Sequence, residues 1–496
     1  MATFAAVDLG AQSGRVAVGR FDGERLSVTE VHRFPNTPVR LRSTLHWDIL
    51  RLYHEVLDGL RAAGREAGRI DSVAVDSWGV DFGLVDRRGR LVQNPVHYRD
   101  GRRAAAMERV LDHVPARELY DRTGIQLMPI NTVFELGGMA AEGEPALAIA
   151  DTLLLVPDLV HFWLCGVRTT ELTNASTTQC FDPRAGGWAD DLLERLDVPS
   201  RLMPEVAQPG TQLGPLDREV ADDTRLGAAA VVAVATHDTG SAVAAIPFRG
   251  AGSAWISAGT WSLVGAEVRE PVITDAAFAA NLTNEAGVNG TFRLLRNVTG
   301  LWLVHECRRA WALEGHDYSF DQLVALAKEA PPLRSFIEPN DPAFAEPGDM
   351  PARVRAFCAH TRQAEPVDPG AVARCILESL ALKHAQTIEL VAAVTGIAAR
   401  EIHVVGGGAR NELLCRWTAD AAGLPVHAGL EEATLYGNLL VQAMAAGEIA
   451  SLAEARELVA ASHPPTTYEP RESEAWRDAR ERFAAAVALP TMELPA

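Results

Sequence analysis

Residues 4–18 read FAAVDLGAQSGRVAV, and this stretch decides the fold. Two apolar runs, Phe4–Val7 and Arg15–Phe21, flank a turn rich in small residues and predict two neighbouring strands. Small residues let backbone N–H groups approach an anion closely. Asp8, just before the turn, would repel a bare phosphate but suits one that carries Mg²⁺. The stretch therefore predicts a phosphate loop with Asp8 as metal ligand, or an ordinary hairpin with Asp in its turn.

The elements that follow have the same order in both halves of the chain. A third strand-like run (Leu26–Phe34) precedes a predicted helix over Leu50–Ala67 and a strand over Ile70–Asp76. Three antiparallel strands, a helix and another strand match one ribonuclease-H-like unit. Ser253–Gly265 again reads as strand, small-residue turn, strand. Later predicted elements are a helix at Val372–Val394, a strand at Glu401–Val405 and a helix at Glu472–Val487.

The chain length and one change in composition predict two domains. At 496 residues the chain is too long for a single core. Residues 246–252 (IPFRGAG) interrupt the pattern and form a plausible hinge. We therefore expect an α/β protein with two ribonuclease-H-like domains around a central cleft, over 1–245 and 253–488.

Asp238 is the strongest catalytic candidate. Val231–Ser241 reads VVAVATHDTGS, in which a buried strand delivers a carboxylate to its carboxyl end among small and hydroxyl residues. Open α/β sheets bind ligands beyond these strand ends. A carboxylate held there is a candidate general base for a substrate hydroxyl. The alternative is a helix cap, because Asp is a preferred cap residue and a helical pattern could follow.

A late glycine turn predicts a nucleotide contact. Gly406–Asn411 (GGGARN) lies between the predicted strand Glu401–Val405 and a helical pattern that contains Leu413 and Trp417. A strand, a glycine turn and a helix start allow a nucleotide to approach the backbone. The pattern alone is weak, because many strand–helix loops contain glycine. No Gly-Lys-Ser/Thr phosphate loop occurs, which disfavours that class of NTPase.

Composition and charge narrow the class of protein. The chain is 48% hydrophobic and 22% charged, and its formal net charge of −19 is spread without long runs of one sign. This argues against nucleic acid and anionic membranes as partners. Six scattered cysteines form no Cys-x-x-Cys pair and predict no zinc site. No signal peptide or membrane span is apparent, so we expect a cytoplasmic, small-molecule protein.

With these segments in place, the chain resembles the FGGY carbohydrate kinases nearly from end to end. The resemblance is closest to the members that act on L-rhamnulose, and it rests on several particular segments. These are Val7–Ala11, Asp76–Phe82, Tyr98–Asp100, Thr123–Gln126, Thr173–Gln179, Asn281–Glu285, Asn297–Trp302, Gly406–Asn411 and Glu432–Asn438.

The resemblance implies an activity and a set of site residues. It implies ATP-dependent phosphorylation of the primary 1-hydroxyl of L-rhamnulose, with Asp238 as base and Mg²⁺ beside Asp8. The implied sugar contacts are Gly79, His237, Asp238, Thr239 and Asn297. The implied ATP contacts are Gln12, Ser13, Gly14, Arg15, Val16, Thr260, His305, Gly407, Gly408 and Asn411.

Some alternatives stay open at this stage. His237 could be a structural histidine, and His305 stands where these kinases usually carry glutamine. The sugar could be another ketose, such as L-fuculose or xylulose, because one pocket contact can change the preference. The fold could also serve a nucleotide-dependent switch or a non-catalytic sugar sensor, although Asp8 and Asp238 together favour a kinase. The oligomeric state is not predicted.

Overall fold

A computed structural model describes residues 1–471 and 474–488. The strands are β1 (Ala2–Leu9), β2 (Ser13–Phe21), β3 (Leu26–Pro35), β4 (Val39–Leu41), β5 (Thr44–His46), β6 (Ser72–Ser77), β7 (Phe82–Val85), β8 (Thr152–Leu155), β9 (Thr169–Glu171), β10 (Phe181–Asp182), β11 (Gly187–Trp188), β12 (Glu205–Ala207), β13 (Thr211–Pro215), β14 (Ala230–Ala233), β15 (Ser253–Ala258), β16 (Trp261–Val268), β17 (Thr283–Ala286), β18 (Phe292–Thr299), β19 (Glu401–Val405), β20 (Val426–Ala428) and β21 (Thr466–Tyr468).

The α-helices alternate with these strands. They are α1 (Ile49–Ala67), α2 (Arg102–His113), α3 (Ala116–Thr123), α4 (Thr132–Ala141), α5 (Pro145–Ile149), α6 (Val156–Cys165), α7 (Leu172–Ala175), α8 (Asp190–Arg195), α9 (Arg218–Thr224), α10 (Asp238–Ala244), α11 (Asp275–Ala279), α12 (Trp302–Leu313), α13 (Phe320–Glu329), α14 (Met350–His360), α15 (Pro369–Thr395), α16 (Glu412–Ala422), α17 (Ala433–Ala445), α18 (Leu452–Ser462) and α19 (Glu474–Val487).

The chain divides into two compact units that are discontinuous in sequence. The first unit comprises residues 1–247, 267–294 and 433–462, and the second comprises 248–266, 295–432 and the described residues from 463 onwards. The predicted domains, by contrast, are continuous. The hinge at 246–252 and the boundaries at 245 and 253 stay predictions.

The first unit is built on a six-stranded sheet in the order β3-β2-β1-β6-β14-β13. The pairs β1–β2 and β2–β3 are antiparallel, whereas β6 is parallel to both β1 and β14. All eight residues of β1 are buried, as expected of a central strand. Helix α1 packs closely on β2, because a Cβ added to Gly59 would lie 2.2 Å from Val16 Cγ2.

The second unit is built on a sheet in which six strands run in the order β18-β16-β15-β19-β20-β21. The pair β15–β16 is antiparallel, β19 is parallel to β15 and β20, and β21 is antiparallel to β20. The long helix α15 is largely buried and contributes to the same apolar core as β15 and β19.

These two sheets have matching strand orders, which confirms the predicted α/β class and the repeated hairpins. The predicted strands and helices of both halves are present, with ends that differ by a few residues. The predicted C-terminal helix is seen from Glu474, since residues 472–473 lie outside the described part of the chain. Within residues 1–471 and 474–488, none of the helices has the length and apolar character needed to cross a bilayer.

Candidate active site

In the first unit, three parallel strands place polar side chains at one edge of the sheet. Asp8 near the end of β1 lies opposite Asp76 of β6 in the parallel register. Ser77, at the end of β6, forms a bridge with His237, which follows β14 and precedes Asp238. The sheet therefore brings the predicted base and the predicted metal ligand to its carboxyl-terminal edge, where α/β sheets bind ligands.

The predicted phosphate loop is a tight hairpin turn between β1 and β2. Gly10 N donates to Ser13 O at 3.1 Å, and Asn36 N donates to Gln12 O at 3.0 Å. A Cβ on Gly10 would lie 2.9 Å from Ser13 O, so this turn requires glycine. Val16 is fully buried in the sheet, so we expect any contact that it makes with ATP to come from its backbone.

Asp8 is buried and paired with Arg15 on the neighbouring strand. Arg15 donates to Asp8 Oδ2 from Nε at 2.9 Å and from Nη2 at 2.7 Å. The two residues lie directly opposite each other in the β1–β2 register. The strand pairing therefore fixes the ion pair in place, because each side chain leaves the same face of the sheet.

Asp76 is a buried carboxyl group that the sequence reasoning left outside the predicted site. Its Oδ2 accepts a 2.6 Å hydrogen bond from Asn438 Nδ2, and its buried Oδ1 has no hydrogen-bond partner within the described residues. Burial, together with the negative charge of Asp8, raises the pKa of Asp76 well above its ordinary value. Two adjacent carboxyl groups, one of which has a buried oxygen without a hydrogen-bond partner in the described residues, favour a bound cation.

That arrangement fits the predicted Mg²⁺. Magnesium is usually bound by one or two carboxylates, with phosphate oxygens and water completing its shell. Asp8 and Asp76 supply such a pair, and the unpartnered Oδ1 of Asp76 is a hard oxygen donor. No group of three or more His, Cys, Asp or Glu side chains in the described ranges is arranged to hold a metal by itself.

Asp238 is the first residue of α10, and its side chain is about a third exposed (31%). Its Oδ1 accepts hydrogen bonds from the backbone N–H of Thr239 and from Thr239 Oγ1, the latter at 3.0 Å. Burial raises the pKa of Asp238, His237 lowers it, and the charge of Asp8 raises it again. Asp238 is not the N-cap of this helix, which was the alternative considered from the sequence, because His237 occupies the N-cap position.

His237 contacts two buried charged side chains that the sequence analysis did not name as site residues. Its Nδ1 lies 3.2 Å from Glu285 Oε2 and 3.1 Å from Arg293 Nη1, and both of these partners are buried. Its Nε2 lies 3.5 Å from Asp238 Oδ1. Glu285 belongs to a segment that the family resemblance included, whereas no sequence signal pointed to Arg293.

Gly79 lies in a strained loop that follows β6. Val80 has φ 70°, which is costly for a β-branched residue and is typically retained at functional sites. A Cβ on Gly79 would lie 2.9 Å from Thr177 Oγ1. Asp81 anchors the loop by accepting hydrogen bonds from the indoles of Trp47 and Trp78 at 2.6 and 3.1 Å.

In the second unit, glycine backbones meet at the ends of the corresponding strands. Gly259 and Thr260 form the turn between β15 and β16, and Leu301 N donates to Gly259 O at 3.0 Å. Gly406 has φ 82°, and a Cβ there would lie 2.9 Å from Ala258 O. A Cβ on Gly408 would lie 2.5 Å from the Cβ of Ala258. The predicted ATP contacts Thr260, Gly407 and Gly408 are thus brought together.

The remaining predicted contacts lie on elements next to these turns or further along the sheet. Asn411 caps α16, with Leu414 N donating to its Oδ1 at 3.1 Å, and its buried Nδ2 has no hydrogen-bond partner within the described residues. His305 is in the first turn of α12, and burial lowers its pKa, which favours the neutral imidazole. Asn297 is on β18, where its carbonyl accepts from Asn340 Nδ2 at 3.2 Å.

Comparison with known proteins places the chain in a family. Residues 3–245 match the N-terminal domain of the FGGY family of carbohydrate kinases, and residues 254–446 match its C-terminal domain. The chain belongs to the FGGY family of carbohydrate kinases, as its sequence predicted.

Relatives with established names cover nearly the whole chain. It is 41% identical to a rhamnulokinase of Bacteroides thetaiotaomicron, over 95% of this chain and 97% of that protein. It is 38% identical to a rhamnulokinase of Bacillus subtilis, over 95% and 96%.

Solved structures share the fold at low sequence identity. A ligand-bound xylulose kinase from Lactobacillus acidophilus has a TM-score of 0.81 at 14% identity, over 98% of this chain and 97% of that one. A Plasmodium falciparum glycerol kinase with ADP has a TM-score of 0.80 at 13% identity, over 100% and 99%. These two likenesses confirm the sugar-kinase fold.

Proposed function

We propose that this protein transfers the γ-phosphoryl group of ATP to the primary 1-hydroxyl of L-rhamnulose, which gives L-rhamnulose 1-phosphate and ADP. Family membership supports a carbohydrate kinase, and relatives named rhamnulokinase, 38–41% identical over at least 94% of the chain, support the sugar. The observation that carries the proposal is Asp238, a partly exposed carboxylate fixed at the ligand-binding edge of the first sheet.

Asp238 acts as the general base in this proposal. It accepts the proton of the 1-hydroxyl, and that oxygen attacks the γ-phosphorus in line as ADP leaves. Phosphoryl transfer requires mainly positioning and neutralisation of charge. Burial raises the pKa of Asp238, which makes it a stronger base than an exposed aspartate.

The other roles follow the predicted residue sets. Gly79, His237, Thr239 and Asn297 bind the sugar. The turn residues Gln12–Val16, together with Thr260, His305, Gly407, Gly408 and Asn411, bind ATP. Asp8, with Asp76 beside it, would hold Mg²⁺, which when bound neutralises charge on the phosphate oxygens. The cytoplasmic location, and the absence of nucleic-acid and membrane partners, stay predictions.

A sugar panel tests this function. ADP release from MgATP is measured with L-rhamnulose, L-fuculose, D-xylulose and L-xylulose, and the product is located by ³¹P NMR. We expect the highest kcat/KM for L-rhamnulose and a phosphate ester at C1. A preference for another ketose would contradict the assigned sugar and keep the kinase. Hydrolysis of ATP without any dependence on sugar would favour the nucleotide-dependent switch instead.

A further inference from the structure

A buried ion pair contacts His237, the residue that precedes the proposed base, and it has no role in the proposed phosphoryl transfer. Glu285 of β17 and Arg293 of β18 lie with Oε2 and Nη1 3.1 Å apart, and the Arg293 side chain is fully buried. Arg293 also donates from Nε and Nη2 to Ala286 O at 3.1 and 3.0 Å. A buried guanidinium with this many fixed donors cannot move without loss of several hydrogen bonds.

The contacts of this pair bear on which nitrogen of His237 carries the proton. Arg293 Nη1 lies 3.1 Å from Nδ1 of His237, and a guanidinium can only donate, so this contact favours the neutral tautomer with its proton on Nε2. Glu285 Oε2 is 3.2 Å from the same Nδ1 and receives no hydrogen bond within the described residues.

The Nε2 atom lies near one oxygen of the base. Nε2 is 3.5 Å from Asp238 Oδ1, a long contact of the kind that catalytic groups often show before substrate binds. Oδ1 accepts hydrogen bonds from the N–H and the hydroxyl of Thr239. In the described part of the chain, the hydrogen bonds to the Asp238 carboxylate thus all reach Oδ1. The other oxygen, Oδ2, is left for the substrate hydroxyl.

We propose that Glu285 and Arg293 are positioning residues, which hold His237 with its Nε2 proton towards Asp238 so that Oδ2 is the atom that accepts the sugar proton. This rests on the proposed function, in which Asp238 is the base. His237 then acts on Asp238 as a hydrogen-bond donor, in addition to its proposed contact with the sugar. The charged groups around this arrangement are Asp8 of β1, Asp76 of β6, Glu171 of β9, Asp238 of α10, Glu285 of β17 and Arg293 of β18.

The tautomer of His237 is a direct test that needs no sugar. We expect long-range ¹H–¹⁵N spectra of the histidine-labelled wild-type protein to show His237 protonated on Nε2 and unprotonated on Nδ1 at pH 8. The resonances are assigned by their loss in His237→Gln. A neutral ring with its proton on Nδ1 would overturn the proposal, because Nε2 would then face Asp238 with a lone pair.

Two substitutions of His237 separate positioning from sugar binding. The amide of Gln reaches the place of Nε2, whereas that of Asn reaches only the place of Nδ1. We expect His237→Gln to keep kcat within about tenfold of wild type and His237→Asn to lose more, with the sugar KM raised to a similar extent in both variants because each loses the imidazole. A raised sugar KM with kcat retained in both variants would leave His237 as a sugar contact alone and overturn its positioning role.

Glu285→Gln tests the contribution of Glu285 to the positioning of His237. It removes a negative charge and leaves Arg293 in excess, which favours the ionised form of Asp238. We expect kcat to fall about tenfold and the acid limb of sugar kcat/KM to move to lower pH. The control is Glu267→Gln, which breaks a 2.8 Å ion pair with Arg456, a residue that also donates to the carbonyl of Ala244 at the far end of α10.

The comparison of Glu285→Gln with the control Glu267→Gln decides the outcome of this experiment. Identical pH profiles for Glu285→Gln and Glu267→Gln would overturn the proposal. If Glu285→Gln does not fold, the tautomer of the wild-type protein still decides. Failure of the proposed function is separate, since it would be seen as an absence of sugar-dependent ADP release in the wild-type protein.

Discussion

The two sheets have the same strand order but end in different chemistry. In the first unit, Asp8 and Asp76 lie one residue before the ends of β1 and β6, and Asp238 follows β14 at the start of α10. In the second unit, the corresponding strands β15, β19 and β20 are followed by Gly259, Gly406 and Gly429. One edge therefore presents carboxyl groups and the other presents backbone.

This difference separates two tasks of a kinase. Proton transfer needs a titratable side chain with a tuned pKa, and burial next to Asp8 provides that for Asp238. A nucleotide needs close approach to N–H groups, and glycine provides that by having no side chain. In the proposed function, the same fold would support catalysis at one set of strand ends and nucleotide binding at the other.

Gly437→Ala should have a large effect, because it disturbs the support of the carboxyl edge. A Cβ on Gly437 of α17 would lie 1.8 Å from the backbone oxygen of Ser241 in α10, the helix that begins with Asp238. No rotamer can relieve a clash with backbone. We expect a loss of about 3 kcal/mol in unfolding free energy or, if α10 shifts, about 10²-fold in kcat.

Chemical unfolding and steady-state kinetics measure both effects. Gly101→Ala is the matched control, because a Cβ at Gly101 meets no atom within 4 Å. Wild-type stability and kcat in Gly437→Ala would contradict the close packing of α10 and α17.

Gly407→Ala tests the strand ends of the second unit, where glycine backbone is presented. A Cβ there meets no protein atom within 4 Å, so the protein itself should tolerate the change. If ATP lies on this backbone, we expect the KM for ATP to rise about tenfold while the sugar KM and the melting temperature stay unchanged. Gly187→Ala, which also meets no neighbouring atom, is the control. An unchanged KM for ATP would remove Gly407 from the nucleotide site.

The pH dependence of sugar kcat/KM tests the carboxyl groups at the edge of the first sheet. Burial and the charge of Asp8 raise the pKa of Asp238 above its ordinary value of 3.8, and a base must be ionised to act. We therefore expect sugar kcat/KM to fall as pH decreases through that raised pKa, by about tenfold per unit below it. Circular dichroism at each pH verifies that the protein is folded. Activity that persists unchanged down to pH 3.8 would contradict the assignment.

His305→Gln should have the smallest effect. Burial and the nearby Arg308 lower the pKa of His305, which favours the neutral imidazole, a hydrogen-bonding group as the amide of glutamine is. We expect the KM for ATP to change by less than about threefold. A tenfold change would mean that the imidazole has a role that an amide does not replace, such as its stacking on Phe320 at 5.9 Å.

The sequence predicted those parts of the molecule that depend on local pattern. The two hairpins, the strand that leads to Asp238 and the glycine turn at Gly406 follow from neighbouring residues, and the structure has them all. The roles assigned to individual site residues are not tested by the fold and stay predictions.

Contacts between distant segments could not be predicted in the same way. Arg293 and His237 are 56 positions apart, and Asn438 and Asp76 are 362 apart. No local periodicity reports which buried groups will meet across such a separation. Asp76 was recognised as a strand end, but its pairing with Asp8 depends on the register of two parallel strands.

The most direct test of the account compares Asp238→Asn with the wild-type protein. The substitution is nearly isosteric and removes the base, so we expect sugar-dependent ADP release to fall about 10²–10⁴-fold. The affinity for MgATP, measured by calorimetry on the same samples, should stay at the wild-type value. Near-normal turnover in Asp238→Asn would contradict the claim that the carboxyl edge of the first sheet performs the chemistry.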